Sequence, residues 1–492
     1  VEDEEFRASV RSWLSAELSG EFAGLVGKGG PGREHELVDE RLAWERRLGE
    51  GGWIGLGWPP EDGGRGLPWR QQVIFHEEYA RAGAPGRVGH IGEQLLGPTL
   101  LMFGTAEQKA RFLPGILAGT AMWCQGYSEP DAGSDLAGLR TRAVLGPDGK
   151  WHVDGQKVWT SLAQFADWCF VLARTNHNDE RHYGLSCLLV SMHQAGVTVR
   201  PIVQLTGTSE FNEVFFTDAV ADDLVGAPGD GWRVAMGTLG VERGVSTFGQ
   251  QLGFAREFEA VLGLARARGV ASDPDIAARI ADAWIGLQVL RFTAEVSFSS
   301  ASSGSGSEPG VEANIIKLLW APWHQRLGEL AVDVAGADAT VTGPSYDLSD
   351  EQRLFLFTRA DTIYGGSSEI QRNVIAERGL GLPRGLRRHT RAGGVAGGCA
   401  GLPVPHPRRG HVETAHRGAG ADRAGGAVAV RRGERRPGRG RGRRRGSRTG
   451  AVAAAIAVHR AGRVRARRGT GHACRIAERD CGRVAGSVVR YK

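Results

Sequence analysis

Apolar residues near the start of the chain recur every three to four positions, so Phe6, Val10, Trp13 and Leu14 share one face of a helix. Residues 37–48 continue that spacing until GGWIGLGWPPEDGGRG breaks it with glycines and prolines. Further helices are predicted over 70–84, 92–103 and 105–117, which makes residues 1–119 a helical domain. Between 120 and 231 the pattern changes to short runs rich in Val, Trp, Phe and Thr, such as KWHVDGQKVWTS, WCFVLART, LSCLLVSM, VTVRPIV and NEVFFT. Turn signals such as GPDG separate these runs and predict a domain of antiparallel strands. Helical spacing returns through Val234, Met236, Leu239, Val245, Phe248 and Leu252, and again in IIKLLWAPWHQRLGELAVDVAG. Residues 232–384 thus form a second helical domain, with SSASSGSGSEPG as a loop between two of its helices. The expected fold class is α+β.

Composition changes the picture beyond Arg384. The 492 residues carry a formal net charge of only +6, but residues 385–492 hold 27 basic and 5 acidic residues, leaving residues 1–384 at −16. All but one of the 36 aromatic residues lie in those first 384 positions, so aromatic core material is confined there. The tail is Arg, Gly and Ala with little periodicity, and its expected state is disorder. Out-of-frame reading of a GC-rich gene gives the same composition. Clustered arginine also suits a polyanion, but the single aromatic, Tyr491, gives almost no base-stacking capacity and argues against nucleic acid as the main partner. No run of about 18 apolar residues occurs, and the opening VEDEEFRASV is acidic where a targeting signal would be basic, so the expectation is a cytoplasmic protein without membrane contact.

Cys124, Cys169, Cys187, Cys399, Cys474 and Cys481 form no CxxC pair, and the first three sit in apolar runs as small core residues. His76, His90, His182, His193 and His324 are scattered singly, so no metal is expected. The richest local chemistry is QGYSEPDAGSDLAG, residues 125–138, where Ser128 and Ser134 stand among Gly126, Gly133 and Gly138. Such a segment allows close backbone approach and can hydrogen-bond a polar ring or phosphates. A plain Ser/Gly turn between domains fits the same residues.

With DGQKVWTS (154–161) and IYGGSSEIQRNVIAERGLGLPR (363–384), this loop closely resembles the acyl-CoA dehydrogenase family, and the resemblance runs over essentially residues 1–384. It implies an N-terminal helical domain, a middle antiparallel β domain and a C-terminal four-helix domain, with FAD between the last two. It further implies that Gln125, Ser128, Gly133 and Ser134 line the flavin, with Ser134 also facing the thioester tail of the substrate. Trp159 matches the aromatic flanking the flavin, Ser161 the hydroxyl near its N5, and Ser367 and Glu369 positions touching the phosphate and ribityl region.

The family reaction removes a proton α to a thioester carbonyl while a hydride leaves the β carbon, so a carboxylate must face the substrate and donors must polarise the carbonyl. Many members carry that glutamate directly after the tyrosine of the last motif, where this chain has Tyr364 followed by Gly365 and Gly366. The glycines still offer backbone N–H groups to the thioester oxygen. A subset carries the base on the first long helix of the C-terminal domain, and there Glu242 followed by Arg243 matches. Glu242 is the expected base and Arg243 a substrate-side neighbour; a solvated Glu-Arg step on a helix surface is the plainer alternative.

The family's glutamine and double glycine at a neighbouring-subunit flavin contact are replaced by AVDVAGADA, with Asp333, Gly336 and Ala337, and the arginine reaching FAD across a dimer falls at Arg266 or Arg268. The resemblance implies oxidation of an acyl-CoA to the trans-2-enoyl-CoA, transfer of electrons to an electron-transfer flavoprotein, and a homodimer or tetramer, with a hetero-oligomer also open. Two alternatives share the scaffold: a flavin monooxygenase or oxidase, and a non-catalytic subunit of a hetero-oligomer. The acyl chain is not readable from the sequence.

Overall fold

The computed structural model describes residues 2–176, 181–241, 246–302 and 312–383. The Arg-rich tail, and with it the expectation of disorder, lies outside the described residues.

Five helices open the chain: α1 (Asp3–Ser19), α2 (Val38–Glu50), α3 (Trp69–Arg81), α4 (Gly97–Phe103) and α5 (Ala106–Leu117). Helix α1 buries Phe6, Val10, Leu14 and Leu18, a stripe repeating every four residues that faces the interior. The stripe meets Trp44, Trp53 and Phe75, and the Trp53 and Phe75 rings stack at 5.4 Å. The single helix predicted over 92–103 is two pieces: a π-helical turn at Gly92–Leu96 runs into α4. Helix α5 starts on a capping box, in which the Thr105 hydroxyl accepts from the Gln108 N–H and the Gln108 side chain accepts from the Thr105 N–H.

Seven strands follow: β1 (Trp123–Gly126), β2 (Arg142–Leu145), β3 (Trp151–Ser161), β4 (Trp168–Arg174), β5 (Leu185–Ser191), β6 (Val197–Ile202) and β7 (Phe211–Val225). Pairing runs β4–β2–β3–β7–β5 and returns from β5 to β4, so the sheet closes on itself, with β1 added to β4 and β6 to β7. Closure removes most unpaired edges. One correction to the sequence expectation arises here: the sheet is mixed, because β1 and β2 pair parallel to β4. The long excursion through the 127–141 loop and β2–β3 gives the chain room to return in the same direction, which a hairpin cannot do. Cys124 and Cys169 are register partners, and with Cys187 they are buried free thiols. Between Lys157 and Thr160 the β3–β7 register slips by one residue, a β-bulge on β3.

The C-terminal part contains α6 (Gly231–Val241), α7 (Ser246–Ala267), α8 (Pro274–Ser302), α9 (Glu312–Ala335), α10 (Asp350–Phe357) and α11 (Ser368–Val374). Phe254, Phe258, Leu290, Trp320, Trp323 and Leu327 form the shared core of α7, α8 and α9. The Ser/Gly-rich segment expected to be a loop is helical as far as Ser302, because α8 carries on through its first serines; residues 303–311 lie outside the described residues. Ser349 caps α10 in a second capping box with Gln352. Ser349→Ala should cost about 1 kcal/mol, the usual worth of such a cap, read as a lower denaturation midpoint; an unchanged midpoint would show the cap to be idle.

Candidate active site

Strand β1 delivers Gln125 to the end of the sheet, and the chain then turns through Ser128, Gly133 and Ser134. Gly126 packs so closely on β4 that a Cβ there would lie 3.0 Å from the Cys169 sulfur. The loop is tied to β3 at three points: the Val158 N–H donates to the Ser128 carbonyl at 3.0 Å, and Lys157 Nζ donates to the Tyr127 carbonyl at 3.1 Å and to Glu129 Oε1 at 2.9 Å. Lys157 is fully buried. Glu129 also accepts from the backbone N–H groups of Arg140 and Thr141 at 2.7 and 2.8 Å. Burial alone would raise its carboxyl pKa, but the Lys157 charge and these donors hold it below the ordinary value. The Tyr127 hydroxyl donates to Thr238 of α6, which also pairs with Thr99 of α4, so the three parts of the chain meet beside this loop.

The bulge sends Trp159 outward. Its backbone is left-handed (φ 61°), its side chain is 58% exposed, and its ring meets Phe211 edge-on at 6.1 Å. Ser161, two residues on, pairs with Phe211 in the register of β7. The structure thus sets Ser128 against the end of β3 that carries Trp159 and Ser161, and places Gln125 on β1, where the Ser128 loop begins, while Gly133 and Ser134 are exposed on the loop beyond. The residues present suit a polar planar ring: Gln125 Nε2 is buried without a hydrogen-bond partner, and Trp159 leaves a large aromatic face exposed.

A second group gathers around Gly365 and Gly366. Both have left-handed backbones (φ 61° and 90°), and neither N–H has a backbone acceptor among the described residues. Gln371 of α11 donates to the Gly365 carbonyl at 2.8 Å. Ser367 stands just before α11 and Glu369 in its first turn, exposed, with an ion pair to Arg372 at 3.8 Å. Lys317 of α9 donates to the Asp361 carbonyl at 2.6 Å and lies over the rings of Trp320 and Tyr364. Asp361 is fully buried and accepts from the Tyr364 hydroxyl at 2.9 Å.

His324, taken from sequence as an isolated histidine, sits between two carboxylates: Nδ1 is 2.8 Å from Asp361 and Nε2 2.7 Å from Glu257 of α7. Burial pulls its pKa down, but the two carboxylates reverse this and push it up to about 9. The resulting stabilisation is complete below the unfolded value near 6.5 and is lost as pH rises through about 9. Nothing in the local sequence marks this triad, since Glu257, His324 and Asp361 lie 67 and 37 residues apart.

Glu242 and Arg243 lie outside the described residues, between the end of α6 and the start of α7. Arg268 pairs with Asp338, Arg266 is exposed, and Asp333 pairs with Arg279 at 2.7 Å. Asp333 and Gly336 line a cleft of about 480 Å³ with Thr340, Tyr346 and Gln352. Among the described residues no cluster of His, Cys, Asp and Glu suits a metal ion, and no helix is long and apolar enough to cross a membrane.

Three family models match in order along the chain: the acyl-CoA dehydrogenase N-terminal domain over residues 1–120, the middle domain over 124–219 and the C-terminal domain over 229–380. The chain is 59% identical to the acyl-CoA dehydrogenase IpdE1 of Mycobacterium tuberculosis over 383 residues, 77% of this chain and 98% of that protein. Among solved structures, the steroid ACAD Tcur3481-Tcur3483 matches with a TM-score of 0.67 at 29% identity, over 78% of this chain and 98% of the other. The ChsE4-ChsE5 complex from Mycobacterium tuberculosis matches with a TM-score of 0.63 at 31% identity, over 78% and 98%.

Proposed function

We propose that this chain, which belongs to the acyl-CoA dehydrogenase family and is an oxidoreductase acting on CH–CH donors, converts a saturated acyl-CoA to its trans-2-enoyl-CoA with Glu242 as the base. The observation that carries the reading is the loop after β1, whose Ser128 carbonyl is tied to Val158 directly before the outward-facing Trp159, with the Gln125 side-chain amide nitrogen buried and without a partner at the start of the same loop. Gln125, Ser128, Gly133, Ser134, Trp159 and Ser161 would hold the flavin ring of FAD, and Ser367 and Glu369 its phosphate and ribityl region. When bound, FAD accepts the hydride from the β carbon.

The roles of the chain's own groups follow from the chemistry. Ser134 faces the thioester tail, and the N–H groups of Gly365 and Gly366 stabilise charge developing on the thioester oxygen. Glu242 takes the α proton, and Arg243 orients it or the substrate. Gly365 leaves this side of the site without a carboxylate, so the proton acceptor comes from elsewhere, and Glu242 is the residue that matches the family's alternative position for it. Residues 1–119, 120–231 and 232–384 act as the three domains, and an electron-transfer flavoprotein receives the electrons.

The resemblance to a structure described as a steroid ACAD supports a bulky steroid-like acyl group, and the resemblance to a complex of two differently named chains, ChsE4 and ChsE5, supports a hetero-oligomer. The test is anaerobic: butyryl-, isovaleryl-, palmitoyl- and steroid side-chain CoA thioesters are added to the purified flavoprotein and bleaching of the flavin is followed. The steroid thioester is expected to bleach it fastest. Failure of every thioester, with dithionite still reducing the flavin, would sink the reaction class.

A further inference from the structure

Three separate parts of the C-terminal fold converge on one buried imidazole. His324 projects from α9, Glu257 from α7, and Asp361 from the segment that leads into Tyr364, Gly365 and Gly366. The His324 ring is 4% exposed and packs against Phe254 at 4.4 Å and Trp323 at 6.1 Å. Asp361 spends one carboxylate oxygen on His324 and the other on the Tyr364 hydroxyl, while its carbonyl takes Lys317 Nζ. The residue immediately before the glycine pair is therefore fixed through its side chain to Asp361, and Asp361 is fixed to α9 directly and to α7 through His324 and Glu257. The charged and titratable groups facing the imidazole are Glu257 and Asp361, with Lys317 and Tyr364 held on the far side of Asp361.

We propose that His324 is a positioning residue for the reaction: bridging Glu257 and Asp361, it locks the Asp361–Tyr364 segment and so sets where the Gly365 and Gly366 N–H groups point. The inference rests on the proposed thioester-binding role of that turn. Only the doubly protonated imidazole donates to both carboxylates at once; a neutral ring turns an acceptor nitrogen toward one of them and releases one end of the bridge. A turn loosened by even a fraction of an ångström loses alignment with the developing oxyanion, which lowers the chemical step more than the binding of the CoA thioester.

The experiment uses the full-length flavoprotein and the panel thioester that bleaches it fastest. His324→Gln is expected to retain FAD and reduction by dithionite, to slow thioester-driven flavin reduction at saturation about tenfold, and to leave KM nearly unchanged. The wild-type rate should fall as pH rises past about 9, and His324→Gln should lack that limb. Glu257→Gln removes one carboxylate and should move the limb to lower pH, and because Glu257 is partly exposed it serves if His324→Gln does not fold. A folded His324→Gln with wild-type rate and profile, or a limb that Glu257→Gln does not move, overturns the proposal. Gly366→Ala separates the two layers, since its Cβ would lie 2.6 Å from Gln371 Nε2 on a left-handed backbone. If Gly366→Ala slows reduction and His324→Gln does not, the turn keeps its role and His324 loses its own; if Gly366→Ala has no effect, the role of the turn fails and the inference with it.

Discussion

Replacing Glu242 with glutamine should slow flavin reduction by the preferred acyl-CoA by about 10²–10⁴-fold, the usual share of a positioned general base. FAD content and reduction by dithionite should stay at wild-type levels, because the substitution keeps the side chain's size and removes only its ability to take a proton. The expectation rests on the resemblance: Gly365 and Gly366 carry no side chain where many members of the family have a carboxylate, and Glu242 matches the alternative position of the base. Stopped-flow absorbance at the flavin band measures the rate directly. Near-wild-type reduction in Glu242→Gln would assign the proton to another group.

The second large effect is on stability. Lys157→Met should cost about 3 kcal/mol, because it strips Glu129 of its cation while the carboxylate remains largely out of water. Two backbone donors to Glu129 remain and keep the loss at the lower end of the range for a broken buried pair. The melting temperature should drop by roughly 3–5 °C, and FAD should be lost on gel filtration, since the same ammonium holds the Tyr127 carbonyl and so the loop carrying Ser128. The double variant Lys157→Met with Glu129→Gln should regain part of the lost stability. A single variant as stable as wild type would mean that the pair contributes nothing net.

How much of this was legible beforehand varies with distance along the chain. The helices of residues 1–119 follow from spacings such as Phe6, Val10 and Leu14, and the strands from short β-branched runs bounded by glycine turns, all local patterns. The closed, mixed sheet was not legible, because the parallel pairing of β1 with β4 depends on where the chain goes after leaving each strand, which no window of residues encodes. The candidate site divides the same way. Gln125, Ser128, Trp159 and Ser161 stand within contiguous motifs, whereas Lys157 matters only because Glu129, 28 residues away, folds back onto it. His324 carried no sequence signal for a similar reason: its partners come from two distant segments, and an isolated histidine in a helix is usually just packed.

The slip in β3 has a consequence for how this domain can evolve. In a regular strand Lys157 and Trp159 would point the same way; the one supernumerary residue between Lys157 and Thr160 is what lets the ammonium go inside while the indole goes outside. Substitutions along this stretch can be absorbed one at a time, but a change of length cannot, because losing a single residue would exchange the inner and outer faces of everything from Trp159 to the strand's end. Descendants of this chain should therefore vary here in spelling and never in count.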